Sequence, residues 1–556
     1  MSKKYYIVLA LTVCWTVTTY GGTQKVAIAS AHPLATEAGF EIIHNGGNVF
    51  DAAVAVSAAL AVVEPTGSGL GGGGYWLLHR ASDQFETVID GREKAPLAAH
   101  KDMFVDGDGK IIPRLSLDGP LAAGIPGLPA ALVHLSEKYG QLPLSKSLAP
   151  AIRYAQTGFA VGGKYLKMLK FRANVLKKYP QTAAIFLPGG KAPPAFSVLK
   201  QPDLAHTLTR LAESGRRGFY RGDIADKLLN SVNKAGGIWS QQDLDAYQVI
   251  ERTPLSGNYH GIKITTVPPS SSGGIVLLET LNILSAYDLQ QRDGVTRAHL
   301  VAEALRRAHH DRALYLGDSD FTAIPIARLL DADYAAGLRS SLRTDKTLPS
   351  GYLSGDMAEQ PEGDNTTHFS IIDAEGNRVA ATLSINFPFG SGFVAEGTGV
   401  LLNDEMDDFS SQAGALNGYG LVGGVANAIA PGKRMLSSMT PTFLEDNQRI
   451  AALGTPGGSR IPSMVLLASL DFAVGNGPDS WVKASRFHHQ FIPDILEYEP
   501  GALTPEQQHK LIGLGHVLKT ARYRFGDMQA VQLHKQTQAL TAASDPRGEG
   551  RAVVKH

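Results

Sequence analysis

Asn365-Thr366-Thr367-His368-Phe369-Ser370 runs into Ile371-Ile372-Asp373-Ala374-Glu375-Gly376-Asn377, and a second apolar run ends at Ser384-Ile385-Asn386. Residues 366–372 and 378–386 are rich in β-branched and apolar side chains, and Asp-Ala-Glu-Gly-Asn between them is a turn cluster. The stretch therefore predicts a β-hairpin. A three-residue turn at 374–376 pairs Asp373 with Asn377, and counting outward sets Thr366 opposite Ser384 with both hydroxyls on one face. A turn one residue longer would break that pairing. Taken alone, the stretch reads first as an ordinary hairpin with hydroxyls on its polar face. The reading with chemistry in it starts from the weakness of a Thr hydroxyl as a nucleophile, which a neighbouring base overcomes; one such base is the threonine's own α-amine. That amine exists only if the chain is cut before Thr366.

The 556 residues are 44% hydrophobic and include 60 Gly and 30 Pro, enough for a large core in a layered enzyme-like chain. Lys plus Arg (52) balances Asp plus Glu (52), so no global field favours nucleic acid or an anionic membrane, and a small polar substrate is the better expectation. Lys3 and Lys4 precede an almost unbroken apolar and hydroxyl-bearing run, after which Gly21-Gly22-Thr23-Gln24 is small and polar. Residues 1–22 read as a secretory signal peptide with an approximate cut site, an uncleaved anchor being the alternative, and the mature chain is expected in the periplasm or the medium. Leu11-Thr12-Val13-Cys14 is a poor lipoprotein box because Val13 replaces the small residue. Cys14 is the only cysteine, so a mature chain holds no disulfide, cysteine-based metal site or cysteine nucleophile.

Residues 48–64 read as a helix, with Asn48 as cap, Asp51 in the first turn, an Ala/Val run and Pro65 as stop. Further helices are expected at 128–139, 204–214, 274–287 and 295–317, and strands at 74–79, 263–266 and 451–454. Mixed elements on both sides of Thr366, without a composition break, imply a layered α/β or α+β fold with the cut inside it. Gly71 to Gly74 is followed by Tyr75-Trp76 and a strand, not by Gly-Lys-Ser/Thr and a helix, so it is no nucleotide loop. Thr455-Pro456-Gly457-Gly458-Ser459-Arg460 follows an apolar strand. Alone it is a tight turn, yet successive glycine amides can converge on an anion. Neither Ser437-Ser438 nor Ser270-Ser271-Ser272 lies in a Gly-x-Ser-x-Gly elbow. His309-His310 and His488-His489 lack metal-ligand spacing and read as packing or surface residues. Asp404-Glu405-Met406-Asp407-Asp408 lacks the alternating calcium-loop pattern, and a cationic ligand group is its other possible target.

In this order the motifs resemble the γ-glutamyltranspeptidase (glutathione hydrolase) family of N-terminal-nucleophile enzymes, from about Ala27 to Arg547. They are Asn45-Gly46-Gly47-Asn48 with Asp51-Ala52-Ala53, the four glycines, Arg92-Glu93-Lys94-Ala95-Pro96 and Pro268 to Gly274. The second half adds Thr366 to Ser370, Asn403 to Ser410, Leu436-Ser437-Ser438-Met439, Pro456 to Arg460, Arg486-Phe487-His488-His489 and Ser544-Asp545-Pro546-Arg547.

The resemblance implies an α+β, four-layer αββα sandwich cut into two interwoven subunits, 23–365 and 366–556. It implies self-cleavage between Asn365 and Thr366, catalysis by Thr366, and amides of Gly457 and Gly458 for the oxyanion. Thr367 and Ser384 would hydrogen-bond and orient the nucleophile; Ser384 stands where many members have Thr. Arg92, Ser437 and Ser438 would take the substrate α-carboxylate, and Asn386, Glu405 and Asp408 its α-ammonium. Tyr419, after the loop-like stretch 409–418, matches the aromatic residue of a lid. An α-amine with a reference pKa of roughly 7.7 to 8.0 is partly neutral near physiological pH and can take the hydroxyl proton. The implied donors are glutathione and other γ-glutamyl compounds, the acceptors water, amino acids or peptides, with no cofactor or catalytic metal. Two other readings stay open: a related glutaryl or cephalosporin acylase, against which Asp408 argues, and a non-catalytic binding protein for γ-glutamyl compounds.

Overall fold

A computed structural model describes residues 25–353, 366–411 and 417–555. The expected leader at 1–22, Asn365, and positions 412–416 of the stretch before Tyr419 lie outside the described residues. The hairpin has the register that the turn length predicts. Thr367–Asp373 pairs with Arg378–Ser384, Arg378 facing Ile372 and Leu383 facing Thr367. One step further out, Thr366 stands against Ser384. Gly376 closes the turn at φ 92°, in the left-handed region that glycine enters without strain, and the Asp373 carboxylate accepts the Asn377 N–H at 2.8 Å.

The hairpin sits mid-sheet. The seven-stranded sheet runs Arg551–Lys555, Val26–Ser30, Thr367–Asp373, Arg378–Ser384, Gly73–Arg80, Phe85–Gly91, Ile250–Arg252, antiparallel throughout. Facing it is a six-stranded antiparallel sheet: Ala539–Ser544, Gln529–His534, Arg449–Gly454, Thr442–Glu445, Ile262–Thr266, Leu255–Tyr259. A dry seam between them gathers Ala27, Tyr75, Ala380, Phe443 and Val531. Helices Val49–Val63 and Leu128–Tyr139 cover the outer face of the first sheet, and Gly273–Leu284 and Ile461–Ala473 that of the second. The molecule is the four-layer αββα sandwich of the α+β class.

Local signals explain these elements. Asn48 accepts the N–H groups of Phe50 and Asp51 while Asp51 accepts that of Asn48, a reciprocal cap on a helix whose every residue is buried. The four-glycine run is a place of close backbone approach. A Cβ on Gly72 would lie 2.1 Å from the Ser384 carbonyl, and one on Gly71 2.1 Å from that of Leu401. No side chain fits there, which lets the strand that begins at Gly73 lie flush against the end of the hairpin. Among the described residues no helix is long and apolar enough to cross a membrane.

Candidate active site

Strand alternation sorts the residues around the expected cut. His368 faces the second sheet, where a Cβ on Gly454 would meet its ring at 2.3 Å. Its ring nitrogens pair with Thr382 at 2.8 Å and Ser370 at 3.0 Å, and burial lowers its pKa to about 3, so it is a neutral packing residue. Thr366, two residues away, shares that face, as does Ser384 by the same count. Thr367 points the other way. Its hydroxyl donates to Glu64 at 2.5 Å, and Glu64 is bonded in turn by Lys164, which also reaches Asp527. The Thr367 hydroxyl proton is thus committed to Glu64 behind the sheet, which leaves its oxygen lone pairs as acceptors. Glu64, 303 positions away in the chain, carries no signal in the sequence that would have found it.

Thr366 lines a small pocket together with Arg92, Ser384, Asn386, Glu405, Asp408, Tyr419, Ser437, Ser438 and Gly458. Eleven of the twelve expected site residues that the structure describes are thus accounted for as pocket lining or, like Thr367, as a neighbour. Gly457 is adjacent in the turn but does not line the pocket. The enclosed part of the pocket holds about 20 Å³, room for roughly one water. A larger cavity of about 700 Å³, lined by Val161, Ile185, Pro194 and Leu204, contains none of these residues.

Arg92 directly follows the strand Phe85–Gly91 and is buried. Its guanidinium meets Glu405 at 2.6 Å, Asp408 in a very short contact and Glu93 at 3.5 Å, and its Nε donates to the Met435 carbonyl at 3.3 Å. The cation expected for a carboxylate and the anions expected for an ammonium are therefore one paired cluster and not two separate subsites. Three carboxylates share one guanidinium, and burial raises the pKa of Glu93, Glu405 and Asp408. Neither oxygen of Glu93 has a hydrogen-bond partner. The second residue of the Arg-Glu-Lys-Ala-Pro motif is thus part of the site, which its sequence neighbourhood alone did not show.

The other walls are braced by asparagines and serines. Asn403 joins Gly71, Gly124 and the Glu405 N–H, and so anchors the short turn Glu405–Asp408. Asn427 ties the Asp408 carbonyl to the Leu436 N–H, linking the acidic turn to the serine loop. Ser437 is held by the triple-serine segment: its N–H donates to the Ser270 carbonyl at 3.0 Å, and its carbonyl accepts the Ser272 N–H at 2.8 Å. Ser384 accepts the Asn386 N–H at 2.7 Å and hydrogen-bonds Glu405. Asn386, at φ 71°, donates its side-chain amide to the Asp404 carbonyl at 2.9 Å, which turns its side-chain oxygen into the acceptor position.

Gly457 (φ 143°) and Gly458 (φ 55°) form the turn between strand Arg449–Gly454 and helix Ile461–Ala473, a conformation closed to side chains. The Tyr419 ring covers Gly458, where a Cβ would come within 2.5 Å, and its hydroxyl donates to the Asn386 carbonyl at 3.0 Å. The histidine pairs are buried or half-buried: His309 and His488 meet edge to face, and His489 bridges Arg306 and Asp494. His299, Glu303 and His516 cluster with metal-like spacing. However, Glu303 is committed to Arg306 and Arg307, and the two imidazoles hydrogen-bond each other at 2.8 Å.

A threonine opening an inner strand of an αββα sandwich, beside a glycine turn at a helix N-terminus, defines the N-terminal-nucleophile hydrolase class. The gamma-glutamyltranspeptidase family pattern matches residues 35–555. The chain is 42% identical over 499 residues to a glutathione hydrolase proenzyme of a Pseudomonas species, covering 89% of this chain and 86% of that one. It is 40% identical over 529 residues to the one of Escherichia coli, covering 94% and 90%. Among solved structures, cephalosporin acylase from Bacillus halodurans superposes with a TM-score of 0.82 at 27% identity, covering 100% of this chain and 98% of that one. The Helicobacter pylori gamma-glutamyltranspeptidase gives 0.57 at 36% identity, covering 66% and 100%. The chain belongs to the gamma-glutamyltranspeptidase family.

Proposed function

We propose that the chain is a self-processing γ-glutamyltransferase and glutathione hydrolase, its mature form made of fragments 23–365 and 366–556. The observation that carries the reading is the mixed cluster of Arg92 with Glu405 and Asp408 beside Thr366. A γ-glutamyl group ends in a zwitterion, and such a group can enter this cluster without leaving a buried charge unpaired. Its carboxylate faces Arg92, Ser437 and Ser438, and its ammonium faces Glu405, Asp408 and the Asn386 side-chain oxygen.

In maturation the Thr366 hydroxyl attacks the Asn365 carbonyl, an N-to-O shift breaks the C–N bond and leaves an ester with a free Thr366 amine, and water then hydrolyses the ester to the Asn365 carboxylate and the Thr366 hydroxyl. That amine then takes the Thr366 hydroxyl proton as the oxygen attacks the donor's γ-carbonyl carbon. Amides of Gly457 and Gly458 receive the oxyanion, at the N-terminal end of a helix that favours negative charge. The C–N bond breaks, the leaving amine takes the proton back, and a γ-glutamyl ester on Thr366 remains. Water or the amine of an amino acid or peptide resolves it.

The family's fold alone does not separate this reading from an acylase for glutaryl side chains, since a cephalosporin acylase shares it. Glu405 and Asp408 favour the γ-glutamyl donor, because a glutaryl group brings no cation to them. The test is intact mass and N-terminal sequencing after incubation at neutral pH. The wild type is expected to yield a fragment starting at Thr366, and Thr366→Ala to stay as one chain that releases no glutamate from glutathione. A well-folded wild type that stays whole would overturn the proposal.

A further inference from the structure

The described part of the lid, Asn417 to Leu421, is a tight knot. The Asn417 side-chain oxygen accepts the N–H groups of Tyr419 and Leu421, each at 3.0 Å, and the Gly420 N–H donates to the Asn417 carbonyl at 2.9 Å. Two of its attachments lie in the substrate pocket: Asn417 to Asp408 at 3.2 Å and Tyr419 to the Asn386 carbonyl. A donor that displaces Asp408 or shifts Asn386 disturbs both.

A third attachment comes from outside the pocket. The buried side chain of Gln490 donates to the Gly420 carbonyl at 2.9 Å, with longer contacts to the carbonyls of Ile492 (3.3 Å) and Tyr419 (3.4 Å). Because its amide nitrogen is spent on carbonyls, its oxygen must accept, and it lies 2.9 Å from His488 Nε2. That nitrogen therefore carries the proton, and Nδ1 takes the hydroxyl of Ser463 at 2.7 Å. Ser463 lies in the first turn of helix Ile461–Ala473, directly after the Gly457-Gly458 turn. The strand that bears His488 is keyed to the same turn a second time: His488 pairs with Glu497, and Glu497 bonds Arg460 at 2.7 Å. One relay thus runs from the oxyanion turn through Ser463, His488 and Gln490 to the backbone of the lid.

We propose that Gln490 is a positioning residue for the lid, holding Tyr419 over the acyl-enzyme and so setting how the γ-glutamyl group is divided between water and amine acceptors. His488 and Ser463 orient Gln490 and make the setting depend on the oxyanion turn. The proposal rests on the γ-glutamyl reading above. A lid held shut excludes water from the ester and lengthens its life for an incoming amine, so a loosened lid raises hydrolysis relative to transfer.

The experiment uses the mature enzyme with a γ-glutamyl anilide donor and glycylglycine as acceptor. It follows the aniline burst, glutamate release and γ-glutamyl-glycylglycine formation separately. Gln490→Leu keeps the size and removes both hydrogen bonds. The ratio of transfer to hydrolysis is expected to fall about fivefold to tenfold, the weight of a buried hydrogen bond, while the burst rate stays within about twofold. Gln490→Glu, which has no N–H for the Gly420 carbonyl, shifts the ratio the same way. An unchanged ratio in Gln490→Leu, or a burst that falls in step with both products, overturns the proposal. If Gln490→Leu does not mature, Ser463→Ala carries the test with an expected fall of about twofold to threefold, and an unchanged ratio there is equally fatal. A wild type that releases no aniline from the γ-glutamyl donor overturns instead the γ-glutamyl reading beneath it.

Discussion

Asp408→Asn should separate recognition of the ammonium from every other part of the site. The side chain keeps its shape, but the charge facing Arg92 is lost, and with it one of two carboxylates available to a donor's ammonium. Truncating one partner of a buried, hydrogen-bonded charge pair costs about 2–5 kcal/mol. Here Glu405 and the Asn386 side-chain oxygen remain, so the lower half of that range applies. At 1.4 kcal/mol per factor of ten, kcat/KM for γ-glutamyl anilide should fall by roughly 30- to 300-fold. A glutaryl anilide has no ammonium for Asp408 to meet, so its kcat/KM should hold or rise. Folding should not suffer, because Glu93, Glu405 and Asp408 crowd a single guanidinium and neutralising one eases their repulsion. The assay is kcat/KM for both donors on processed enzyme of unchanged melting temperature. Equal losses for the two donors would refute the reasoning, since they would place Asp408 in the fold or in the chemistry and not in recognition.

Arg92→Gln leaves those three carboxylates without their cation and should lower stability by about 3–5 kcal/mol in urea titration of the precursor. Gly458→Ala forces a side chain into φ 55° and against the Tyr419 ring. It should cut kcat at least about tenfold, by roughly 1.4 kcal/mol or more, and the loss should shrink in the Gly458→Ala/Tyr419→Ala double variant, where the clash is gone. Competitive inhibition should carry the signature of burial on Glu405, whose carboxyl is pushed up to about 7. Raising pH from 5.5 to 8 ionises it, so L-glutamate should bind more tightly and glutarate more weakly. Parallel trends for the two inhibitors would count against Glu405 as an ammonium partner.

Where both partners of an interaction sit close in the chain, the sequence told the truth about this molecule. The five residues from Asp373 to Asn377 are enough to set the hairpin register, and Asn48 with Asp51 to start the first long helix. Element ends drift by one to three residues, as in Gly273–Leu284 against an expected 274–287, because side-chain caps and packing decide the last turn. The site divides in the same way. The chemical types and order of Arg92, Thr366, Asp408 and Gly458 carry a recognisable pattern. The pairing of Arg92 with its would-be counterparts, Thr367 on Glu64, and Gln490 on the lid each join residues brought together only by folding. Pro268 to Gly274 was visible as a motif, yet its service as a brace for Ser437 needs the two loops side by side.

The order of strands in the first sheet also bears on how the molecule comes into being during translation. Val26–Ser30 lies between Thr367–Asp373 and Arg551–Lys555, both of which are made long after it. The sheet is not complete before Arg551–Lys555 has been made, and Val26–Ser30, its second strand, has no neighbour to pair with until Thr367–Asp373 follows. Thr366 and its pocket border the same strand pair and cannot be assembled early either. A hydrolytic centre that awaits strands made so much later stays harmless in the meantime, and the unpaired earlier strand marks the interval in which a chaperone would have the most to protect.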